Sequence, residues 1–113
     1  MTAYAVGLLE DLQFGPDIVD YLQRIDASLK PFEGEFLVHG TRPELREGAF
    51  GGDCVLIGFP SMQQARDWYD SPAYAALIPL RTRHSRSTVF LLEGVKTPDY
   101  RAASLLDKLG VNV

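Results

Sequence analysis

The amino-acid sequence predicts an α+β fold, in which helices pack on one face of a single antiparallel sheet. Two observations support this prediction. Short, continuous apolar runs typical of buried strands alternate with longer segments whose apolar residues recur at helical spacing. Glycine, proline and serine stand where the helices begin and the strands end. The resulting order, β-α-β-β-α-β followed by one further helix, is typical of a ferredoxin-like sheet.

The first half of the chain predicts a strand, a helix, a second strand and a long loop. The continuous apolar run from Tyr4 to Leu9 indicates a buried strand. A helix begins at Pro16, since proline is favoured at the first helical position, and Pro31 ends it. Glu35 to His39 is predicted as the second strand. Residues 40–52 contain four glycines and exceed the common length of a hairpin loop, so we predict a long surface loop.

The second half begins with a strand and two capped helical segments. Cys54 to Phe59 is predicted as the third strand. Ser61 caps the next helix, and Gln64 stands three residues later, as a capping box requires. Ser71-Pro72 then starts a second helical segment, because serine is a favoured N-cap and proline a favoured first residue. Pro79 is expected to kink or fray this segment.

A fourth strand and a last helix complete the predicted order. Thr88 to Glu93 is the strand, and the helix runs from Pro98 to Leu109 before Gly110 ends it. We therefore divide the chain into a ferredoxin-like domain over residues 1–95 and a C-terminal helical extension over residues 96–113.

The predicted strands are apolar on both faces. In the first strand Tyr4, Val6 and Leu8 are apolar, and so are the residues that alternate with them. A sheet with one face in water would alternate between apolar and polar residues. The second face has a footprint on the order of 400 Å², at the limit of what a monomer exposes. The simplest cover is the same face of a second copy, so we expect a homodimer. The alternative cover, the C-terminal helix of the same chain, hardly spans four strands.

Composition and charge exclude several classes of protein. The 113 residues suffice for one domain with a single core. A net charge of −4 argues against a nucleic-acid-binding protein, which needs a basic face. No stretch approaches the ~20 apolar residues of a membrane span. The single cysteine, Cys54, excludes an internal disulfide and suits a reducing compartment. We therefore expect a cytoplasmic protein with no nucleic-acid or membrane partner.

Several segments resemble a known family of proteins. They are F-L-V-H-G at 36–40, G-D-C-V-L-I-G-F-P at 52–60, A-R-D-W-Y-D-S-P-A-Y at 65–74 and L-R-T at 80–82. Together they are similar to the domain of unknown function 1330 family, which belongs to the dimeric α+β barrel superfamily, and the resemblance covers almost all of residues 3–95. The resemblance implies the fold and a dimer. It brings no catalytic residues, because the family's activity is not established.

Two residues are candidates for catalysis. His39 ends a strand beside the long loop and could act as a general base, or as a haem or metal ligand, because its charge can change near neutral pH. Its alternative role is a strand-end histidine that hydrogen-bonds to the backbone. Glu47 lies in the loop and could abstract a proton from an activated carbon. Its alternative role is loop capping or an ion pair with Arg42 or Arg46.

Four residues are candidates for ligand binding. Trp68, Tyr69 and Tyr74 could line an aromatic pocket, although a helical stripe of aromatic residues also forms plain core. Arg81 could bind the carboxylate of a small ligand, or it could simply favour the helix C-terminus. The two histidines of the chain lack metal-binding spacing, and no phosphate-binding glycine loop is present, so we predict no metal and no cofactor.

These observations give two hypotheses of function. The first is a homodimeric barrel that binds or transforms a small, mostly apolar or aromatic metabolite, by proton transfer or by cofactor-free oxidation. The second is a non-catalytic dimer that binds a metabolite or serves as a structural or interaction protein. The sequence contains no nucleophile–base spacing that decides between an enzyme and a binding protein.

Overall fold

The computed structural model describes residues 1–111, so the last two residues of the predicted C-terminal extension lie outside the described part. Residues 1–111 form four strands and five helices in the predicted order, with a short 3₁₀ turn after the first helix. They are β1 (Ala3–Glu10), α1 (Pro16–Leu29), the 3₁₀ turn (Lys30–Phe32), β2 (Glu35–Thr41), β3 (Asp53–Phe59), α2 (Met62–Tyr69), α3 (Pro72–Ala75), α4 (Ile78–Thr82), β4 (Arg86–Glu93) and α5 (Ser104–Lys108). Within residues 1–111, no helix has the length and apolar character needed to cross a membrane.

The four strands form one antiparallel sheet in the order β2-β3-β1-β4. The central strand β1 pairs on both sides: Ala5 lies opposite Ile57 of β3 and opposite Leu91 of β4. Strands β2 and β4 lie at the two edges of the sheet. This arrangement is the ferredoxin-like sheet, so the predicted α+β fold class is confirmed.

Both predicted helix caps are present in the structure. The Ser61 hydroxyl accepts a hydrogen bond from the backbone N–H of Gln64 at 3.1 Å, and the Ser71 hydroxyl accepts one from the N–H of Tyr74 at 3.2 Å. These bonds satisfy backbone donors that the first turn of a helix leaves without a partner. Pro79 lies in the first turn of α4, so the chain begins a new helix there.

Some element boundaries differ from the predicted ones. Strand β2 continues two residues past His39, and β4 begins at Arg86, two residues before Thr88, because polar residues can extend a backbone ladder at a sheet edge. The last helix is shorter than predicted, since turns occupy much of residues 98–103. Its end is as predicted: Gly110 has a φ of +74°, and Val111 N donates to the Leu106 carbonyl at 2.8 Å.

The core lies between the sheet and the helices. Strand β3 contributes Ile57 and Phe59, and helix α1 contributes Ile25 and Leu29, all of them buried. Trp68 of α2 is also fully buried, and its indole N–H donates to the Ser28 hydroxyl at 3.1 Å. A buried indole donor with a partner avoids the desolvation cost of an unpaired polar group.

The other face of the sheet is apolar and open. The strand pairing places Val6 between Leu56 and Phe90, and Leu92 beside Tyr4. On this face Phe90 is 37% exposed and Leu92 is 49% exposed. Helix α5 does not cover these residues, and its own Leu105 is exposed as well. The structure therefore confirms that the strands are apolar on both sides, and it leaves the second face uncovered within a single chain.

Candidate functional site

A cavity of about 130 Å³ lies between the helix-facing side of the sheet and the helices. The cavity exists because the central strand β1 contributes Ala5 and Gly7 there, and neither fills the space opposite α1. Its walls are mostly apolar. They are Ala5, Val6, Gly7, Leu9, Leu12, Ile25, Phe36, Gly40, Val55, Ile57, Trp68 and Val89, with polar groups from Tyr21, His39, Asp53, Tyr74 and Arg81.

The inner end of the cavity carries a cluster of three polar side chains, one each from α1, α3 and α4. The hydroxyls of Tyr21 and Tyr74 are 2.6 Å apart and share a hydrogen bond. Arg81 is only 5% exposed, and its guanidinium donates to the hydroxyl of Ser87 on β4. We call Tyr21, Tyr74 and Arg81 the polar cluster. It concentrates the cavity's hydrogen-bonding groups at one end.

The electrostatics of the polar cluster favour a positive charge on Arg81 and a neutral hydroxyl on Tyr21. Burial raises the pKa of Tyr21 well above its ordinary value, and the neighbouring Tyr74 raises it further, while Arg81 lowers it only in part. Burial acts to lower the pKa of Arg81, but the two tyrosines outweigh this effect and raise it. At neutral pH the cluster therefore contains a protonated guanidinium beside the neutral phenol of Tyr21.

The outer end of the cavity contains His39. The side chains of exposed residues, including Leu12 and His39, line the cavity there, so we place its mouth at this end. The imidazole stacks on the ring of Phe36, with the ring centroids 4.2 Å apart. A shift in strand register between Phe36 and Val38 brings these two rings to the same face. Asp53 also lines the cavity and pairs with Arg42 at 3.5 Å.

The structure brings four of the six predicted site residues to one cavity: His39, Trp68, Tyr74 and Arg81. Trp68 and Tyr74 pack together with their ring centroids 4.1 Å apart, and they form one wall. The remaining two are placed elsewhere. Tyr69 packs against the rings of Trp68 and Tyr74 but does not line the cavity.

Glu47, the second catalytic candidate, lies exposed in the loop between β2 and β3 and does not line the cavity. Tyr21, which lies on α1 among residues that are apolar at helical spacing, was not among the predicted site residues. A phenol hydroxyl within an otherwise aliphatic stripe was the available signal, because a buried hydroxyl requires a partner. In residues 1–111, no group of three or more histidine, cysteine, aspartate or glutamate side chains could hold a metal ion.

A family model, described as a domain of unknown function (DUF1330), matches residues 2–95. The chain belongs to the DUF1330 family. The predicted membership is thus confirmed, and the matched residues include all four strands, helices α1 to α4 and every residue that lines the cavity. Helix α5 lies outside the match. No curated protein is significantly similar to the chain.

Two solved structures share the fold of this DUF1330 protein. The methylated RPA0582 protein has a TM-score of 0.63 and 15% sequence identity, with 86% of this chain and 83% of that chain covered. A structure of the RPA0582 protein of unknown function from Rhodopseudomonas palustris has a TM-score of 0.61 and 16% identity, with 84% and 83% covered. At this identity, the similarity concerns the fold alone.

Proposed function

We propose that this DUF1330 protein is a homodimer in which each subunit binds a small, mostly apolar or aromatic metabolite in the cavity between sheet and helices. The observation that carries the proposal is the distribution of apolar and polar side chains along the cavity walls. Apolar walls surround the space, and three of its five polar side chains form the polar cluster at its inner end, as in sites that bury a ligand and fix its orientation.

The volume of the cavity limits the ligand to about one ring. An apolar protein cavity of about 150 Å³ accommodates benzene, and the cavity here is about 130 Å³. Because the mouth at His39 is open, a short substituent on that ring can extend toward solvent. Nucleotides and haem are too large for this space.

The open face of the sheet supports the dimer. Leu37 is 45% exposed on the edge strand β2, and it approaches Gly58 on the same face that carries Phe90 and Leu92. An apolar surface that extends across a whole sheet marks an interaction site in soluble proteins. The same face of a second copy matches it in size, and a two-fold axis pairs the two faces.

A cavity-filling substitution tests the binding proposal. Gly7 lines the cavity, and a Cβ added there meets only the Cβ of Val55 at 3.6 Å, so Gly7→Val projects its methyl groups into the cavity without a backbone clash. Gly51→Val is the matched control, because a Cβ at Gly51 has no neighbour within 4 Å. We expect thermal-shift screening with single-ring probes to find binding to the wild type and to Gly51→Val, and its loss in Gly7→Val. Equal binding by all three proteins would contradict a ligand in this cavity.

Proton transfer in the same cavity is a second candidate function, and the position of His39 favours it. A ligand held by Arg81 at the inner end extends toward the imidazole at the mouth. A neutral His39 would take a proton from a carbon beside a carbonyl group. The electron pair would move to the carbonyl oxygen, where a buried positive charge stabilises the enolate. Cofactor-free oxidation would start from the same enolate and consume dioxygen.

Deuterium exchange separates this second candidate from simple binding. Phenylpyruvate carries exchangeable protons next to a carbonyl group, and proton NMR in heavy water follows their loss. An enzyme should accelerate the exchange in the wild type and lose the acceleration in His39→Ala. His84→Ala is the control, since His84 pairs with Asp17 at 2.8 Å and does not line the cavity. Exchange at the uncatalysed rate in all three proteins would leave binding as the function.

A further inference from the structure

We infer that the ligand is a small organic monoanion, with a single-ring apolar body and one carboxylate or enolate group that points inward at the polar cluster. This inference rests on the proposed function and gives the chemical class of its ligand. Three observations carry it. The buried guanidinium of Arg81 has no carboxylate partner, and one hydroxyl proton of the Tyr21–Tyr74 pair has no acceptor. The remaining cavity walls offer no site for a second charged group of the ligand.

The first observation concerns the charge of Arg81. Among residues 1–111 it is the only charged side chain that is buried, and it forms no ion pair with an aspartate or glutamate. Its guanidinium donates to the uncharged hydroxyl of Ser87, and the side chains of Tyr21 and Tyr74 lie beside it. A buried charge is costly unless an opposite charge compensates for it. An anionic ligand would supply that charge and accept hydrogen bonds from the planar guanidinium.

The second observation comes from counting hydroxyl protons. Tyr21 and Tyr74 together carry two hydroxyl protons, and the bond between their oxygens uses one of them, whichever residue donates. Arg81 can only donate, so it cannot accept the other proton. Among the described residues, neither hydroxyl has a further acceptor. One O–H donor is therefore free to bond a ligand oxygen. A ligand group that accepts hydrogen bonds from both this hydroxyl and the Arg81 guanidinium must have more than one lone pair.

The third observation limits the ligand to one charge. Beyond the polar cluster the cavity is lined by aliphatic and aromatic groups such as Ile25, Ile57 and Trp68, which cannot solvate a second ionised group. At the mouth Asp53 is already paired with Arg42 at 3.5 Å, so this ion pair offers no unpaired positive charge to a second anionic group. A dianion such as a phosphate ester would bury an uncompensated charge. The ligand therefore enters with its charged group first and leaves its apolar body beside Phe36.

Benzoate and benzamide test this inference, because they share a ring and differ in charge. Isothermal titration at neutral pH should show at least about tenfold tighter binding of benzoate by the wild type, which corresponds to about 1.4 kcal/mol. Arg81→Gln should abolish this preference while benzamide still binds. Arg83→Gln is the matched control, since Arg83 is exposed and does not line the cavity, and it should keep the preference.

Tyr21→Phe and Tyr74→Phe provide an independent readout if Arg81→Gln does not fold. Each keeps the ring packing and removes one hydroxyl. The variant that loses the hydroxyl bonded to the ligand should weaken benzoate by about 3- to 10-fold, the worth of one hydrogen bond, and benzamide by less. The other variant keeps one O–H donor for the ligand and should change benzoate binding less. If benzamide binds as tightly as benzoate in the wild type, the monoanion inference is wrong and the binding proposal stands. If neither probe binds and the Gly7→Val protein behaves as the wild type, both are wrong.

Discussion

The open face of the sheet makes the proposed dimer testable by one substitution, Phe90→Thr. A phenylalanine side chain offers about 200 Å² of surface, so the 37% that is exposed in the single chain corresponds to about 75 Å². At about 25 cal/mol per Å², its burial contributes about 2 kcal/mol per protomer. Two-fold symmetry counts this contribution twice, so the dimer should lose about 4 kcal/mol and its dissociation constant should rise about 1,000-fold. Threonine suits a strand and already occupies position 88 on the same face.

Sedimentation equilibrium over a range of concentrations measures this change directly. The wild type should sediment at twice the 12.5 kDa mass of the chain, and Phe90→Thr should sediment at the chain mass under the same conditions. Leu22→Gln is the control, because it removes a comparably exposed apolar side chain from α1, on the opposite side of the sheet. The sheet-to-sheet dimer would be refuted if the wild type stayed monomeric at micromolar concentration. It would also be refuted if Leu22→Gln changed the dissociation constant more than Phe90→Thr does.

Three further predictions concern the stability of the fold. Ser61→Ala removes the N-cap of α2 and should lower the free energy of unfolding in urea by about 1 kcal/mol; Ser61→Asp should restore it, and no loss would show that the cap is not needed. A chain that ends at residue 95 should keep its melting temperature within about 4 °C, because α5 buries little, and a larger drop would assign a stabilising role to residues 96–111. Above about pH 10, where tyrosine ionises in the unfolded chain, the raised pKa of Tyr21 keeps its proton bound in the folded chain. Stability should therefore fall by up to about 1.4 kcal/mol per pH unit, and Tyr21→Phe should reduce this slope; an unchanged slope would contradict the burial of this hydroxyl.

The elements that local chemistry determines were predictable from the sequence. Ser61 and Ser71 cap helices because their hydroxyls meet backbone donors three residues away, and such bonds depend only on nearby residues. Continuous apolar runs located the four strands for the same reason. Their ends were less predictable, since Arg86 joins β4 through pairing with Glu10 of β1, which is distant in sequence.

The cavity was harder to predict because it depends on packing across elements. Ala5 and Gly7 leave a space only because β1 lies at the centre of the sheet under α1, and no local pattern reveals that. His39 reaches the helix-facing side through a register shift that strict alternation from Phe36 would not allow. The chain also changes direction at Ser71, so Tyr69 and Tyr74 do not continue one helical face, and only Tyr74 lines the cavity.

The two faces of the sheet suggest that binding and dimerisation are nearly independent. The cavity lies on the helix side of the sheet, whereas Phe90 lies on the open side. The monomeric Phe90→Thr protein should therefore bind benzoate within about threefold of the wild-type affinity, a difference below about 0.7 kcal/mol. Titration at a concentration where sedimentation finds only monomer measures this. A much larger loss of affinity would mean that the ligand stabilises the dimer by the same free energy, because coupling between two binding events is reciprocal. The central strand β1 would then connect the ligand cavity with the dimer interface, because Gly7 lines the cavity and the adjacent Val6 lies on the open face.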